Sequence, residues 1–141
     1  MERWQSFGQG AVTRPMQNSQ ENRDHEITKS LLGAVDFISD TIGAGWIGFD
    51  FSIREYTQIS DGELADAFKE YIRALKTNGE PDEKIPKEKI RRAALINLSA
   101  QMNHPDVTAF VNAIINAQEN NLNIYQTLKN LSRVLQEKLS K

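Results

Sequence analysis

Apolar residues recur every three or four positions in almost every segment of this chain after residue 26, and this spacing limits the fold more than any other feature. The first run comprises Ile27, Leu31, Val35, Ile38 and Ile42. Because an α-helix has 3.6 residues per turn, residues at this spacing lie on one face and can pack into a core. A half-buried strand would instead alternate apolar and polar residues. No stretch of useful length alternates in this way, so we expect an all-α fold without strands.

Further segments repeat this spacing, and residues that end helices separate them. Their apolar residues are, in chain order, Ile53, Tyr56 and Ile59; Leu64, Phe68, Ile72 and Leu75; Ile90, Ala94, Leu98 and Met102; Val107, Phe110, Val111, Ile114 and Ile115; and Ile124, Leu128, Leu131, Leu135 and Leu139. The separators are Gly43 and Gly45, Ser60-Asp61-Gly62, Asn78-Gly79, the stretch 80–87 with Pro81 and Pro86, Asn103-His104, and Asn120-Asn121. The sequence therefore predicts a six-helix bundle built from helical hairpins.

Two helix starts can be predicted in more detail. The second helix is expected to begin at Phe49 or Asp50, after the glycines. The fifth is expected to begin at Pro105, because proline suits the first helical position, with Asn103 or His104 as the N-cap.

The first part of the chain lacks the helical period. Residues 1–25 contain Ser, Gln, Asn, Arg and scattered charges with no usable apolar spacing. We interpret them as a flexible N-terminal tail or linker, and residues 26–141 as one helical domain. No apolar run approaches the roughly 18–20 residues that span a bilayer. The start of the chain also lacks the pattern of a signal peptide, so we expect the chain as given to be soluble.

Composition and charge exclude several classes of function. Cysteine is absent, which excludes disulfides and thiolate metal sites, and only His25 and His104 could supply imidazole ligands. A formal net charge of −2 argues against general binding of nucleic acids or membrane surfaces. The charge is also uneven: residues 36–70 carry eight acidic and two basic side chains, and residues 71–141 carry seven acidic and eleven basic ones.

Residues 43–48, Gly-Ala-Gly-Trp-Ile-Gly, match the G-x-G-x-x-G pattern of dinucleotide-binding loops. In such loops the glycines follow a buried strand and let backbone amides approach a pyrophosphate. Here the preceding segment has helical spacing and carries Asp36 and Asp40, and Trp46 would crowd the phosphate. We therefore interpret residues 43–48 as a glycine-rich turn between helices and expect no cofactor.

Carboxylates and histidines give no clear catalytic or metal site. Asp36, Asp40 and Asp50 are ligand types that hard cations accept, but they do not have EF-hand spacing. Acidic pairs are common on solvated helix faces, and we interpret these residues in that way. His104 is explained as a capping residue, and neither histidine has the sequence context of a catalytic triad. We expect no metal and no enzymatic activity.

A local basic cluster, Lys84, Lys87, Lys89, Arg91 and Arg92, lies around the start of the fourth helix. Positive charge near a helix N-terminus opposes the helix dipole, so helix stability does not explain it. One interpretation is a solvated face that nearby acidic residues balance. The other is a contact surface for an acidic partner, or for anionic lipid near a membrane. The predicted partner contacts are Lys87, Lys89, Arg91 and Arg92.

The segment 89–138 combines an Arg-rich Ala-Leu helix, a Pro-Asp helix start, an apolar helix that ends after an acidic residue, and a Leu-rich last helix. The residues that carry this pattern are Arg91, Arg92, Leu95, Leu98, Pro105, Asp106, Phe110, Ala117, Glu119, Ile124, Leu128, Leu131 and Leu135. The pattern resembles the type II secretion system F domain, particularly its Tad-pilus branch. Asn121 stands where the family usually has glycine, and Asn tolerates the left-handed conformation that such a turn needs. Residues 31–79 match more loosely, and the likeness covers about residues 27–138.

The resemblance implies the cytoplasmic domain of an inner-membrane platform protein for type II secretion or type IV (Tad) pilus assembly. Such a domain is a non-catalytic scaffold that couples the assembly ATPase to pilin subunits at the cytoplasmic face of the membrane. Platform domains are expected to self-associate, and the leucine-rich face of the sixth helix, 124–139, is one surface for this. Family members are integral membrane proteins, so their spans would lie outside this chain. The alternative is a free-standing soluble helical adaptor or regulator of phage or plasmid type.

Overall fold

The structure is a computed structural model that describes the backbone of residues 2–42, 45–79 and 87–140 and the side chains of residues 20–42, 48–76 and 87–140. Within these ranges the chain forms six α-helices and no strand. The helices are α1 Glu2–Thr41, α2 Gly45–Ile59, α3 Glu63–Gly79, α4 Lys87–Met102, α5 Pro105–Glu119 and α6 Ile124–Ser140. The predicted all-α six-helix bundle is confirmed.

Two helices begin earlier than predicted. Helix α2 begins at Gly45, not at Phe49 or Asp50, and α1 begins at Glu2. The boundary predicted between residues 25 and 26 therefore lies inside α1. Arg23 already contacts the bundle, since its guanidinium pairs with the Glu63 carboxylate and reaches the carbonyl oxygen of Met102 at 3.3 Å. The side chains of residues 1–19 lie outside the described set, so a tail there stays a prediction.

Residues with a positive φ lie between α2 and α3 and after the end of α5. Gly62 has a φ of 112° and its carbonyl accepts the amide of Asp66, which caps the start of α3. Asn121 has a φ of 55°, the left-handed conformation predicted for it. The amide of Leu122 then bonds to the carbonyl of Ala117 at 2.8 Å, which closes α5 in a Schellman arrangement.

The helices form a closed bundle in which each helix packs against its neighbours in sequence and α6 packs against α1. Helix α1 also contacts α3 and α5, so it lies along the centre of the fold. The core includes three rings in series: Phe68 lies 5.7 Å from Tyr56 and 6.2 Å from Phe110, between ring centroids. The apolar residues predicted to face inward supply most of the core, which is why the 3.6-residue period predicted the helices well.

The leucine-rich face of α6 packs inside the bundle. Ile124, Leu128 and Leu135 are buried, and Leu131 is partly buried against the same core. The exposed apolar residues of α6 are instead Tyr125 and Val134. Self-association therefore stays a prediction, and the face named for it packs within the domain. In the described part of the chain, no helix is both long enough and apolar enough to cross a bilayer.

Candidate functional site

The structure divides the predicted basic cluster among three places. Lys89 and Arg92 are exposed on α4 and line a groove between α4 and α5. Lys87 is also exposed, but it lines a different cleft, between α2, α3 and the start of α4. Arg91 is buried, with 4% of its surface exposed. Lys84 lies outside the described residues.

The prediction that Arg91 contacts a partner is wrong, because its side chain points into the bundle. The guanidinium of Arg91 donates to the Asp50 carboxylate, with Nη2 at 2.7 Å from Oδ2 and Nε at 3.2 Å from both oxygens. Its Nη1 donates to Oε1 of Gln118 at 3.0 Å. A buried charge is stable only when it is paired and hydrogen-bonded. The hydrogen bonds to Asp50 and Gln118 therefore explain why the Arg91 side chain can be buried in the bundle.

This ion pair belongs to a polar network that joins four helices. The hydroxyl of Tyr71 on α3 donates to Oδ1 of Asp50 at 2.8 Å, and Gln118 donates to the carbonyl of Glu88 at 3.1 Å. Burial, followed by the Asp50 charge, raises the pKa of Tyr71 well above its usual value. Burial alone would lower the pKa of Arg91, but the hydrogen bonds and charge of Asp50 outweigh it and raise that pKa. Arg91 therefore stays charged and fixes α4 against α2 and α5.

A sequence signal for the burial of Arg91 exists. Arg91, Leu95, Leu98 and Met102 step by four, three and four, which places the arginine on the buried face of α4. All four residues are buried. A charged residue that lies on the apolar face of a helix is expected to have a buried partner. The fact that Arg91 belongs to a run of basic residues indicates only that the local charge is positive.

The groove between α4 and α5 has a volume of about 450 Å³ and combines charged and apolar surface. Its lining residues are Glu88, Lys89, Arg92, Ala93, Ile96, Gln118 and Glu119. Arg92 pairs with Glu119 across it, with Nε at 2.8 Å from Oε2, and both side chains are about half exposed. Ile96 is a large apolar residue that is 47% exposed. Interfaces commonly combine an apolar centre with a polar rim, and this groove has that composition.

A second polar cluster, centred on Asp106, holds α5 to α1 and α6. The hydroxyl of Thr28 donates to Oδ2 of Asp106 at 2.6 Å, and the ammonium of Lys138 pairs with Oδ1. Burial alone would raise the pKa of Asp106, but the bonds from Lys138 and Thr28 and the Lys138 charge outweigh it and lower that pKa. Sequence reasoning missed this cluster because its members lie far apart along the chain.

His104 is the N-cap of α5, and it is one of the two residues predicted for this position. Its Nδ1 accepts the amide of Asp106 at 3.1 Å, so Nδ1 carries no proton. Its Nε2 lies 3.1 Å from the carbonyl oxygen of Asp24 and therefore donates the hydrogen there. The ring is 4% exposed and joins α5 to α1. His104 thus has a structural role in the described contacts.

We expect Asp106→Asn to lower the free energy of unfolding at pH 7 by about 1–2 kcal/mol. The substitution removes the carboxylate charge that binds Thr28 and Lys138, and the loss is moderate because the Lys138 side chain is half exposed. The lowered pKa sets the sign of the pH dependence. The charged form stabilises the fold above the unfolded pKa of about 3.9, and this contribution is lost as pH falls through the lower folded pKa. Urea unfolding at pH 7 and near pH 3 should show a smaller gap between variant and parent at the lower pH. Asp40→Asn, on an exposed residue of α1, is the control, and a gap that is equal at both pH values would contradict the prediction.

The other candidate residues do not come together. Asp36 accepts the hydroxyl of Ser132 on α6 at 2.6 Å, Asp40 is exposed, and Asp50 pairs with Arg91. Among the described residues no group of three or more His, Asp or Glu side chains is placed to hold a metal ion. The interpretation of Asp36 and Asp50 as part of a solvated face is therefore wrong, since each binds another helix.

The glycine pattern at 43–48 follows a helix, as its spacing predicted, and not a strand. Residues 43 and 44 lie outside the described set, Gly45 begins α2 and Gly48 lies within it. The prediction that it binds no dinucleotide stays a prediction.

The described chain is therefore an all-α helical bundle whose surface groove between α4 and α5 is lined by charged and apolar side chains. Comparison with protein-family models, with curated proteins and with solved structures gives no match.

Proposed function

We propose that this chain is the cytoplasmic module of an inner-membrane platform protein for type II secretion or Tad-type pilus assembly. In this role it is a non-catalytic scaffold that binds the assembly ATPase and couples it to pilin subunits. The observation that carries the proposal is that the groove and the segment resembling the F domain occupy the same part of the chain. The segment that resembles the F domain, residues 89–138, covers nearly all of α4, α5 and α6, and it contains every lining residue of the α4–α5 groove except Glu88.

The groove is the surface that we assign to the ATPase. Ile96 and three charged residues, Lys89, Arg92 and Glu119, line this groove, and we assign Ile96 to the centre of the contact and the charges to its rim. Residues that dominate binding energy cluster at the centre of an interface, while rim charges mainly raise the association rate. The proposed contact set is therefore Lys89, Arg92 and Ile96, with Arg91 acting from inside by fixing α4.

The test is the kinetics of binding to a purified assembly ATPase from the same organism, at low and high salt. We expect Lys89→Glu/Arg92→Glu to lower the association rate about tenfold at low salt and to weaken its salt dependence, because steering by exposed charges is screened by ions. Lys129→Glu/Arg133→Glu makes the same charge change on exposed residues of α6 and should leave the rate within about twofold.

Ile96→Asp provides the second arm of the test. A charge at the centre of the contact should raise the dissociation rate more than it lowers the association rate. Equal rates for the parent, the groove variants and the α6 control would overturn the assignment of the groove.

The gene sequence on either side of these codons tests the wider proposal. Apolar segments long enough to span a bilayer in the same reading frame would support a platform protein. Stop codons at both boundaries would favour the free-standing adaptor instead.

A further inference from the structure

A second cleft, at the junction of α2, α3 and the start of α4, has a different character from the α4–α5 groove. Its volume is about 210 Å³. Its lining residues are Asp50, Phe51, Arg54, Ile72, Leu75, Lys76 and Lys87. None of these residues lines the α4–α5 groove, so the two surfaces can be tested separately.

The rim of this cleft is strongly basic. Arg54, Lys76 and Lys87 are all exposed, and none of them forms an ion pair with another residue in the part of the chain that the structure describes. The acidic residue of the lining, Asp50, is already held by Arg91 and Tyr71. The charge of Asp50 is therefore compensated from inside, and among the described residues the three exposed cations of the rim have no acidic partner.

Three of the residues that line the cleft are apolar. Phe51 is 53% exposed, although a phenylalanine side chain is usually buried. Ile72, which is partly buried, and Leu75, which is buried, also line the cleft. A volume of about 210 Å³ is below the roughly 300–1,000 Å³ of small-molecule sites and suits one or two inserted side chains.

The walls of the cleft are held in place before any partner binds. Asp50 on α2 receives hydrogen bonds from Tyr71 on α3 and Arg91 on α4. Because these bonds fix the three helices that form the cleft, binding does not have to order them. A preorganised site binds more tightly for the same contacts.

We propose that this cleft binds an acidic, amphipathic helical segment of a partner protein. One or two apolar side chains of the segment enter the recess over Phe51, Ile72 and Leu75. Its carboxylates face Arg54, Lys76 and Lys87. Recognition of an amphipathic helix in a groove needs this combination of apolar anchors and complementary charge.

The shape of the cleft favours a peptide over an anionic membrane. A recess between helices accepts a side chain that protrudes from its ligand. Docking on a bilayer instead requires several apolar residues that protrude from the protein and enter the lipid, whereas in this lining Phe51 is exposed but Ile72 and Leu75 are not. The membrane is therefore an outcome of the test that would count against the proposal.

The probe is a fluorescein-labelled, glutamate-rich helical peptide with two leucines one turn apart, and binding is followed by fluorescence anisotropy. We expect saturable binding that weakens with salt, and loss of binding when the glutamates are replaced by glutamine. Arg54→Glu/Lys76→Glu should raise Kd at least about tenfold, and Phe51→Ala should raise it several-fold.

Two variants with the same charge change serve as controls. Lys129→Glu/Arg133→Glu on α6 and Lys89→Glu/Arg92→Glu in the α4–α5 groove should each leave Kd within about twofold. Circular dichroism establishes that every variant is folded. Equal weakening in all three charge variants, no saturable binding by the parent, or binding of the parent to phosphatidylglycerol vesicles but not to the peptide would each overturn the proposal.

Discussion

Replacement of Arg91 by glutamate is expected to lower the free energy of unfolding by about 3–5 kcal/mol, a large part of the 5–15 kcal/mol that a typical domain has. The change removes every hydrogen bond that the guanidinium gives to Asp50 and Gln118. It also places a second carboxylate beside Asp50, whose side chain is only 17% exposed. Two carboxylates in a partly buried site repel each other and lack water to screen them.

Urea unfolding followed by circular dichroism measures this effect, and Arg92→Glu is the matched control. Arg92 is the next residue, carries the same charge and is half exposed, so its reversal should change stability by no more than about 1 kcal/mol. Asp50→Asn/Arg91→Met removes both charges and should recover much of the loss, because no buried charge is then left without a partner. Equal effects of Arg91→Glu and Arg92→Glu would contradict the buried network.

The second large effect is expected for Phe68→Ala, at about 3–5 kcal/mol. The Phe68 side chain is fully buried, and its ring lies between those of Tyr56 and Phe110. Its removal loses apolar burial and leaves a cavity that the helices can fill only in part. The same urea unfolding measurement applies.

Phe51→Ala is the matched control for Phe68→Ala, since it makes the same chemical change on a residue that is 53% exposed. Its effect on stability should be within about 1 kcal/mol. A similar loss from both substitutions would show that the aromatic series at the centre of the bundle does not carry the stability assigned to it.

The helix pattern was predictable because burial and helical period are directly linked in a bundle of this size. The starts of α1 and α2 were not predicted from this period, and the physical reason differs between the two helices. Before Ile27 the sequence has no apolar period, and a helix that has formed extends by one hydrogen bond per residue whether or not the added residues follow that period. At α2 the glycines indicate a break between helices, although glycine is also accepted at a helix start. Trp46, Phe49 and Ile53 already step by three and four and would have predicted the earlier start.

The candidate site was predictable only in part. Lys89 and Arg92 are exposed on α4 as expected, whereas Arg91, in the same basic cluster, is buried. Local charge density cannot separate these cases, since the pairing of Arg91 depends on Asp50, 41 positions away in the chain. The Asp106 cluster had no sequence signal for the same reason: Thr28 lies 78 positions from Asp106. The spacing within α4 can predict that Arg91 is buried, but the partner of a buried polar residue depends on how the helices pack.

The packing of α6 against α1 has a consequence for how the chain folds as it is synthesised. Most helix pairs in the bundle are neighbours in sequence, but Ser132 on α6 meets Asp36 on α1 across 96 positions. At about 5–20 residues added per second, roughly 5–20 s pass between the emergence of these two residues from the ribosome. During that time the side of α1 that α6 covers faces solvent or a chaperone. Distant contacts also slow folding, so we expect closure by α6 to be the last step in forming the native bundle.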